Sequence, residues 1–468
     1  MSWTKTSNTA ALAKTKLSVE NRFDFLLMLY KGLWIVVLFL KAIPYLDWQI
    51  SPYIRLLLIP GALLIGWDFF RGAKLWSRPM WLLAAFCGVY GITAFLNRGA
   101  GFSANLKSTI YMALTFYLFY GHDRKREFCQ VKKEARCLGN LFVVGSFLVS
   151  LVCFYTFLFS VNRIYVSGEN IGYLGMWDER LWGLYNANTG GAINAISLIA
   201  SAALWKTAGK GKRVLKIWYG LNSVLQFVCL ALTYSRTSMY SLILAVGFGI
   251  LFFGTGKWEK KAKDFRLRRW AIRAGAAILS ALVMVGAFPA VREGVSYLPR
   301  LISEETAESG YFSTPEMVAE HRGGVLTGRP ILWKAGGRAF LEAPVFGVGR
   351  ENLYEKTVSY LSDPSWSPDL KAGGVHNGYL TVLISSGLVG SLFFLGFWLW
   401  NGKNVWGQLV ISQEKTESLF LFGMIFLVMM LIMEFFEARV LYQVNLFMSL
   451  FWMGAGYVMD YTERNKNG

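Results

Sequence analysis

HNGYLTVLISSGLVGSLFFLGFWLW, His376–Trp400, decides the fold of this chain. From Tyr379 onward the stretch carries no charge, and about 20 such residues wound as a helix cross the ~30 Å hydrocarbon core of a bilayer. Its front edge is polar, and His376 is one of only three histidines in the 468 residues. A greasy helix that begins on a histidine, an asparagine and a glycine, one residue after the pair Gly373–Gly374, reads as a membrane span whose mouth does something.

Working outward, runs of the same kind recur along nearly the whole sequence. The chain is 54% hydrophobic and only 16% charged, with a mean hydropathy of +0.38. That balance excludes an ordinary soluble domain. Apolar runs and their breakers predict about twelve spans, near 25–43, 53–70, 79–96, 108–120, 138–160, 189–205, 215–234, 237–253, 270–290, 377–400, 418–436 and 440–459. The expected fold class is all-α, a polytopic transmembrane helix bundle. The first ~22 residues are polar and lack an apolar core or cleavage signal, so the first span is expected to act as an uncleaved anchor. The five cysteines form no metal-like pair and none falls in a loop expected outside, which argues against disulfides.

Sidedness follows from where the charge sits. HDRKREFCQVKKEAR (122–136), KTAGKGKRVLK (206–216) and GTGKWEKKAKDFRLRR (254–269) follow even-numbered spans, whereas PYLDWQISP (44–52) and SRTS (235–238) carry almost nothing basic. This is the positive-inside pattern with both termini cytoplasmic. It accounts for the net charge of +19 through orientation beside anionic membrane lipids, with no need for nucleic acid. The expected organisation is a cytoplasmic segment 1–24, spans one to nine over 25–290 with an outer loop at 161–188, a large extracytoplasmic loop 291–376, spans ten to twelve over 377–459, and a tail 460–468. A loop as long as 291–376 is expected to fold as a small, partly helical lid.

The arginines outside need another reason. Arg163, Arg180, Arg236, Arg292, Arg300, Arg322, Arg329, Arg338 and Arg350 all fall in outer segments. A guanidinium fork matches phosphate oxygens as a lysine point charge does not. Arg236 lies between two apolar runs in LALTYSRTSMYSLIL, a depth at which a charge is costly and usually has a partner or a task. Pro330 suits a first helical turn, so Arg329 would stand at that helix's positive end, where an anion also meets backbone N–H groups. Arg338, nine residues on, falls on the opposite face with Glu342 within pairing reach, a structural reading. Arg180 has Asp178 and Glu179 beside it as potential neutralising partners, and Asn186 and Asn188 read as a polar turn opening a span.

For the opening motif two readings stand together. Asn377 suits a helix cap, and His376 is either a polar anchor or a base placed at the outer surface. Gly373, Gly374 and Gly378 would let backbone and substrate approach closely. His122 lies in a basic loop and His321 among charged residues. No HExxH, GxSxG, P-loop or cysteine–histidine metal spacing is present, and Asp178, Glu316, Glu320, Asp363 and Asp369 are scattered, so neither cofactor nor metal is expected. Asp68 and Glu434 are the nearest candidates for charge at the midplane, while Lys31 is placed to snorkel.

With SRTS, TGRPILW (327–333), FLEAPVFGVG (340–349) and HNGYLTVLISSGLVG (376–390) in this order, the chain resembles the O-antigen ligase and polymerase superfamily of bacterial envelope glycosyltransferases, over roughly residues 180–395. The resemblance implies a cytoplasmic-membrane enzyme that moves a glycan from an undecaprenyl-diphosphate carrier to a glycan or lipid-linked acceptor hydroxyl on the outer face. It implies metal-independent, inverting transfer, with Arg180, Arg236 and Arg329 gripping the diphosphate, His376 as base, and Asn188, Arg338 and Asn377 in support. A polymerase of the same superfamily is the alternative within the class; Arg180–Gly191 and Arg338–Gly349 both fit an R-x10-G spacing. A flippase or transporter of lipid-linked oligosaccharide is the alternative outside it.

Overall fold

A computed structural model describes residues 3–72, 76–99, 101–121, 123, 126–167, 170–177, 179–254, 266–302, 328–411 and 417–465. His122, Asp178, Glu316, Glu320, His321 and Arg322 lie outside them. The chain folds as an all-α polytopic membrane bundle. In order the helices are α1 (Trp3–Lys41), α2 (Pro44–Ile54), α3 (Leu58–Arg71), α4 (Arg78–Leu96), α5 (Phe102–Thr115) and α6 (Phe128–Leu158), then α7 (Ala187–Thr207), α8 (Arg213–Thr233), α9 (Arg236–Phe253), α10 (Arg266–Ser296) and α11 (Leu298–Ile302). The C-terminal part adds α12 (Arg329–Glu342), α13 (Leu353–Val358), α14 (Ser367–Gly373), α15 (Gly378–Ile411), α16 (Ser418–Met433) and α17 (Leu446–Arg464).

Among the described residues nine helices are long and apolar enough to cross a membrane. The other three expected spans also form helices but have other reasons to be where they are. α5 carries Asn105 and Ser108, and α17 ends on Asp460 and Arg464; in both helices these polar groups, apart from Arg464, are buried against neighbours. A helix covered by protein need not be oily on every side. α16 is short, and its 16 residues carry no charge. Between α6, α7 and α8 the packing is a polar ladder: Ser146 and Ser197 hydroxyls 2.7 Å apart, Ser150 donating to Asn194 (3.1 Å), and Asn222 donating to Ser201 (2.7 Å). Small hydroxyl and amide side chains let helices approach closely and satisfy each other where no water is present.

The bundle has two unlike ends. At one, Arg464 of α17 donates to the Asp123 carbonyl (3.2 Å) and Arg126 meets Asp24 of α1 (3.1 Å), so the final turn of α17 and the α5–α6 loop lie together. Lys31, expected to snorkel, is instead buried and paired with Glu134 at 2.7 Å. α1 begins at Trp3, so the polar opening residues continue the first span as helix, consistent with their Ala- and Lys-rich composition.

The opposite end carries the segments expected outside. The 161–188 loop contains two antiparallel hairpins, β1 (Arg163–Ser167) with β2 (Asn170–Leu174) and β3 (Met176–Trp177) with β4 (Arg180–Leu181). Residues 328–376 form a small helical layer with a core of its own around Leu332, Ala339, Leu353, Leu370 and Val375. That layer is locked to the span beneath it by a break in α15. Gly387, at φ +62°, interrupts the helix expected to run unbroken from residue 377. The carbonyls freed there accept the amides of Val348 (2.9 Å) and Gly349 (3.1 Å), while Leu388 and Val389 donate to the carbonyls of Pro344 (2.8 Å) and Val345 (3.1 Å). A broken helix inside a membrane protein is tolerated where protein satisfies its backbone, and here the phrase APVFGVG does so. A Cβ at Gly347 would lie 2.6 Å from the Gly387 nitrogen, and one at Gly387 would lie 2.3 Å from the Val345 oxygen. Both positions require glycine.

Candidate functional site

His376 ends the outer layer and opens α15. It adopts φ +49°, a left-handed conformation that costs a non-glycine residue roughly 1–2 kcal/mol. Asn377 caps the helix, its Oδ1 accepting the Leu380 amide at 2.9 Å. The room left by the neighbouring glycines is taken by protein: a Cβ at Gly373 would meet the His376 ring at 2.2 Å, and one at Gly378 would meet the Glu434 carboxylate at 2.0 Å. The ring is thereby held with Nδ1 3.3 Å from Oε2 of Glu437.

Glu437 is where the site converges. It lies in the loop 434–445, which the Asn445 side chain fastens to the Arg439 carbonyl (3.0 Å) and Trp452 to that of Val440 (2.8 Å). Arg329, first residue of α12, sends Nη2 to within 3.5 Å of Glu437 Oε1 and donates Nε to the Phe436 carbonyl at 3.3 Å. Arg439 Nη2 stands 3.9 Å from Oε2. Asn188, in the first turn of α7, donates to Oε1 at 3.3 Å and accepts from Arg180 Nη2 at 2.5 Å. Arg180 also donates Nε to the Thr233 carbonyl (2.8 Å) at the C-terminal, negative end of α8. Burial raises the Glu437 carboxyl, but the charge of Arg439, the hydrogen bond and charge of His376 and the charge of Arg329 more than offset it and hold the group at about 2.

Arg236 occupies the sharp α8–α9 turn. Tyr234 is left-handed at φ +49°, and Gly191 of α7 lies so close that a Cβ would reach that of Ser235 at 2.5 Å. Ser235 Oγ lies 3.5 Å from Asn188 Oδ1, which ties the turn to the same cluster. The guanidiniums of Arg236 and Arg292 stand 5.9 Å and 4.6 Å from the Tyr234 ring. Arg236 and Arg329 each begin a helix, at the end where the macrodipole disfavours a cation and favours an anion.

The structure therefore brings Asn188, Arg329 and His376 onto one carboxylate, with Arg180 joined to it through Asn188 and Arg236 at the adjoining turn. It does not bring Arg338, which is exposed on the far face of α12; Glu342 pairs with Lys356 (3.4 Å) and accepts from Tyr360 (2.8 Å) in place of the expected partner. Glu179 likewise turns from Arg180 to Arg292, whose Nη2 is 2.8 Å from its carbonyl and 3.7 Å from its carboxylate. Glu437 and Arg439 were missed by sequence reasoning. The signal was EFFEAR, three charges between the last two apolar runs, which the span boundaries at 436 and 440 reduced to a nondescript loop.

Residues 221–395 match the family model described as O-Antigen ligase. This segment belongs to the O-antigen ligase superfamily. No curated protein matches the chain. The O-antigen ligase segment contains Arg236, Arg329 and His376 and both halves of the Gly347–Gly387 contact, so the shared sequence phrases are two sides of one packed interface. Arg180, Asn188, Glu437 and Arg439 lie outside the match and reach the site only through folding. Members of this superfamily are glycan-transferring membrane enzymes that act on lipid-linked glycans and polysaccharide acceptors.

Proposed function

We propose that the protein transfers a glycan from an undecaprenyl-diphosphate carrier to an acceptor hydroxyl at the outer face of the bacterial cytoplasmic membrane. The observation that carries this reading is the meeting of His376, Arg329 and, through Asn188, Arg180 at Glu437. Orientation supports it: the basic residues of 126–136 and 206–216 belong to the end holding the last turn of α17, and the cluster sits at the other end.

Glu437 faces Nδ1 of His376, so Nδ1 carries the proton and Nε2 keeps its lone pair for the acceptor hydroxyl. As the acceptor oxygen attacks the anomeric carbon, the bond from that carbon to the diphosphate breaks and charge grows on the leaving group. Guanidiniums from Arg180, Arg236 and Arg329 stabilise that charge, aided by the positive ends of α9 and α12. Arg439 adds a further donor: its Nη1 is buried and makes no hydrogen bond among the described residues. At Glu437 the guanidiniums of Arg329 and Arg439 face one carboxylate, a local excess of positive charge that suits a diphosphate. The carrier diphosphate supplies the driving force, and His376 returns its proton to solvent after each turnover.

The test is reconstitution of purified protein with undecaprenyl-diphosphate-linked glycan and candidate acceptors, with and without EDTA. His376→Ala should retain donor binding and lose transfer by roughly 10²–10⁴-fold, the worth of a general base. Near-normal turnover of that variant removes the imidazole from the mechanism, and movement of donor across vesicles without product points to a carrier.

A further inference from the structure

At the end of the bundle away from the arginine cluster, α6 and α16 stand apart. Both pack on α7 and α17, and α1 closes the back, leaving an apolar cavity of about 180 Å³. Small residues on four helices make it deep: Ala135 and Gly139 of α6, Ala200 and Ala203 of α7, Gly423 of α16 and Gly454 of α17. A Cβ at Gly139 would meet Leu204 first, at an ordinary contact distance of 3.8 Å, whereas a larger side chain there would fill the cavity that this glycine lines. At the end nearest the basic α5–α6 loop the cavity is bounded by Lys132 and Glu417, whose Nζ and Oε1 are 2.9 Å apart and tie α6 to the start of α16. Arg136 follows one turn after Lys132 and Lys133 sits beside it, both exposed. Among the described residues this end of α6 thus sets Lys132, Lys133 and Arg136 against Glu417 of α16, with Lys132 and Glu417 lining the cavity itself.

We infer that this groove binds one acyl chain of an anionic phospholipid drawn from the adjoining leaflet, with the headgroup at Lys132, Lys133 and Arg136. An apolar cavity of about 150 Å³ holds no water and accepts hydrocarbon in a soluble protein. Between membrane spans the medium next to the gap is itself hydrocarbon, so an alkyl chain enters without desolvation cost. Basic pockets between spans at the cytoplasmic side are where acidic headgroups are held, and the charge balance here selects an anion over a zwitterion. The site is separate from the diphosphate cluster, and it shares α16 with it, because that helix leads into the loop presenting Glu437.

Full-length protein in mild detergent, stripped of lipid and mixed with equal dioleoyl phosphatidylglycerol and phosphatidylcholine, tests this by native mass spectrometry. One phosphatidylglycerol should survive activation that removes phosphatidylcholine, Gly139→Phe should cut that adduct about tenfold, and Lys132→Ala should erase the headgroup preference. In parallel, wild-type protein is labelled with phosphatidylglycerol bearing a diazirine on its acyl chain, which requires no variant to fold. Label concentrated on residues 128–142 and 417–426 supports the groove. Label spread evenly over the lipid-exposed faces, equal retention of both lipids, or displacement of the labelled lipid by undecaprenyl phosphate overturns it.

Discussion

His376 owes its position to three neighbours of different kinds: Gly373, whose missing side chain leaves room for the ring; Asn377, which starts the next helix; and Glu437, which meets Nδ1. Glu179, Tyr234 and His376 all adopt positive φ beside the same cluster. Strain of this sort persists only where surroundings over-determine it. Arg329 turns one edge of its guanidinium to the site, Nε to the Phe436 carbonyl and Nη2 to Glu437. Arg329→Lys keeps the charge and loses the fork. Its kcat/KM for glycan transfer should fall roughly 10²-fold, in the range seen when one preorganised donor is removed from a developing anion. Unchanged kinetics of that variant would argue against the clamp. Asn377 as a cap and Arg329 at a helix start were both legible, because each depends on residues within one turn. The pairing of Arg338 with Glu342 was equally local in expectation and did not form; Lys356 of α13 and Tyr360 in the turn after it take the same carboxylate.

Among the elements, α15 shows how far local patterning reaches. Its apolar run predicts one unbroken span, and hydropathy has no way to register that Gly387 reverses φ and hands its neighbours' backbone groups to residues 344–349. The two glycines at that crossing are irreplaceable on steric grounds. Gly387→Ala places a methyl 2.3 Å from a carbonyl oxygen in a left-handed conformation, and should lower unfolding free energy in detergent by about 2 kcal/mol or more. Gly247→Ala, where no atom lies within 4 Å of the added carbon, should be neutral or slightly stabilising because alanine is the better helix former. Thermal melts of the two purified variants distinguish this account from a general intolerance of substitution in spans.

For the whole molecule, the carboxylate of Glu437 joins α7, α12, α15 and the α16–α17 loop. Its pKa of about 2, against an ordinary 4.5, makes this end of the bundle acid-labile. The stabilisation is complete above about pH 4.5 and is lost as pH falls toward 2, because the unfolded chain takes up the proton first. The difference amounts to about 3 kcal/mol. Denaturation of wild-type protein in detergent should therefore ease steeply across that window. Glu437→Gln should be less stable at pH 7 and show a shallower acid dependence; identical acid profiles for the two would place the linkage elsewhere.

By itself the sequence determined an all-α membrane bundle, its basic end, the polar turn at Asn186, the helix cap at Asn377, and the arginines and histidine worth attention. These follow from hydropathy, charge and turn chemistry, which act over a few residues. Only the tertiary structure decided that residues 188, 329 and 376 meet at the Glu437 carboxylate with Arg180 behind Asn188, that Arg338 stays away, and that Gly387 breaks a span to seat the layer 328–376. Those outcomes depend on which helices lie side by side, and the long-range packing energy that sets their neighbours leaves no periodic trace in the chain.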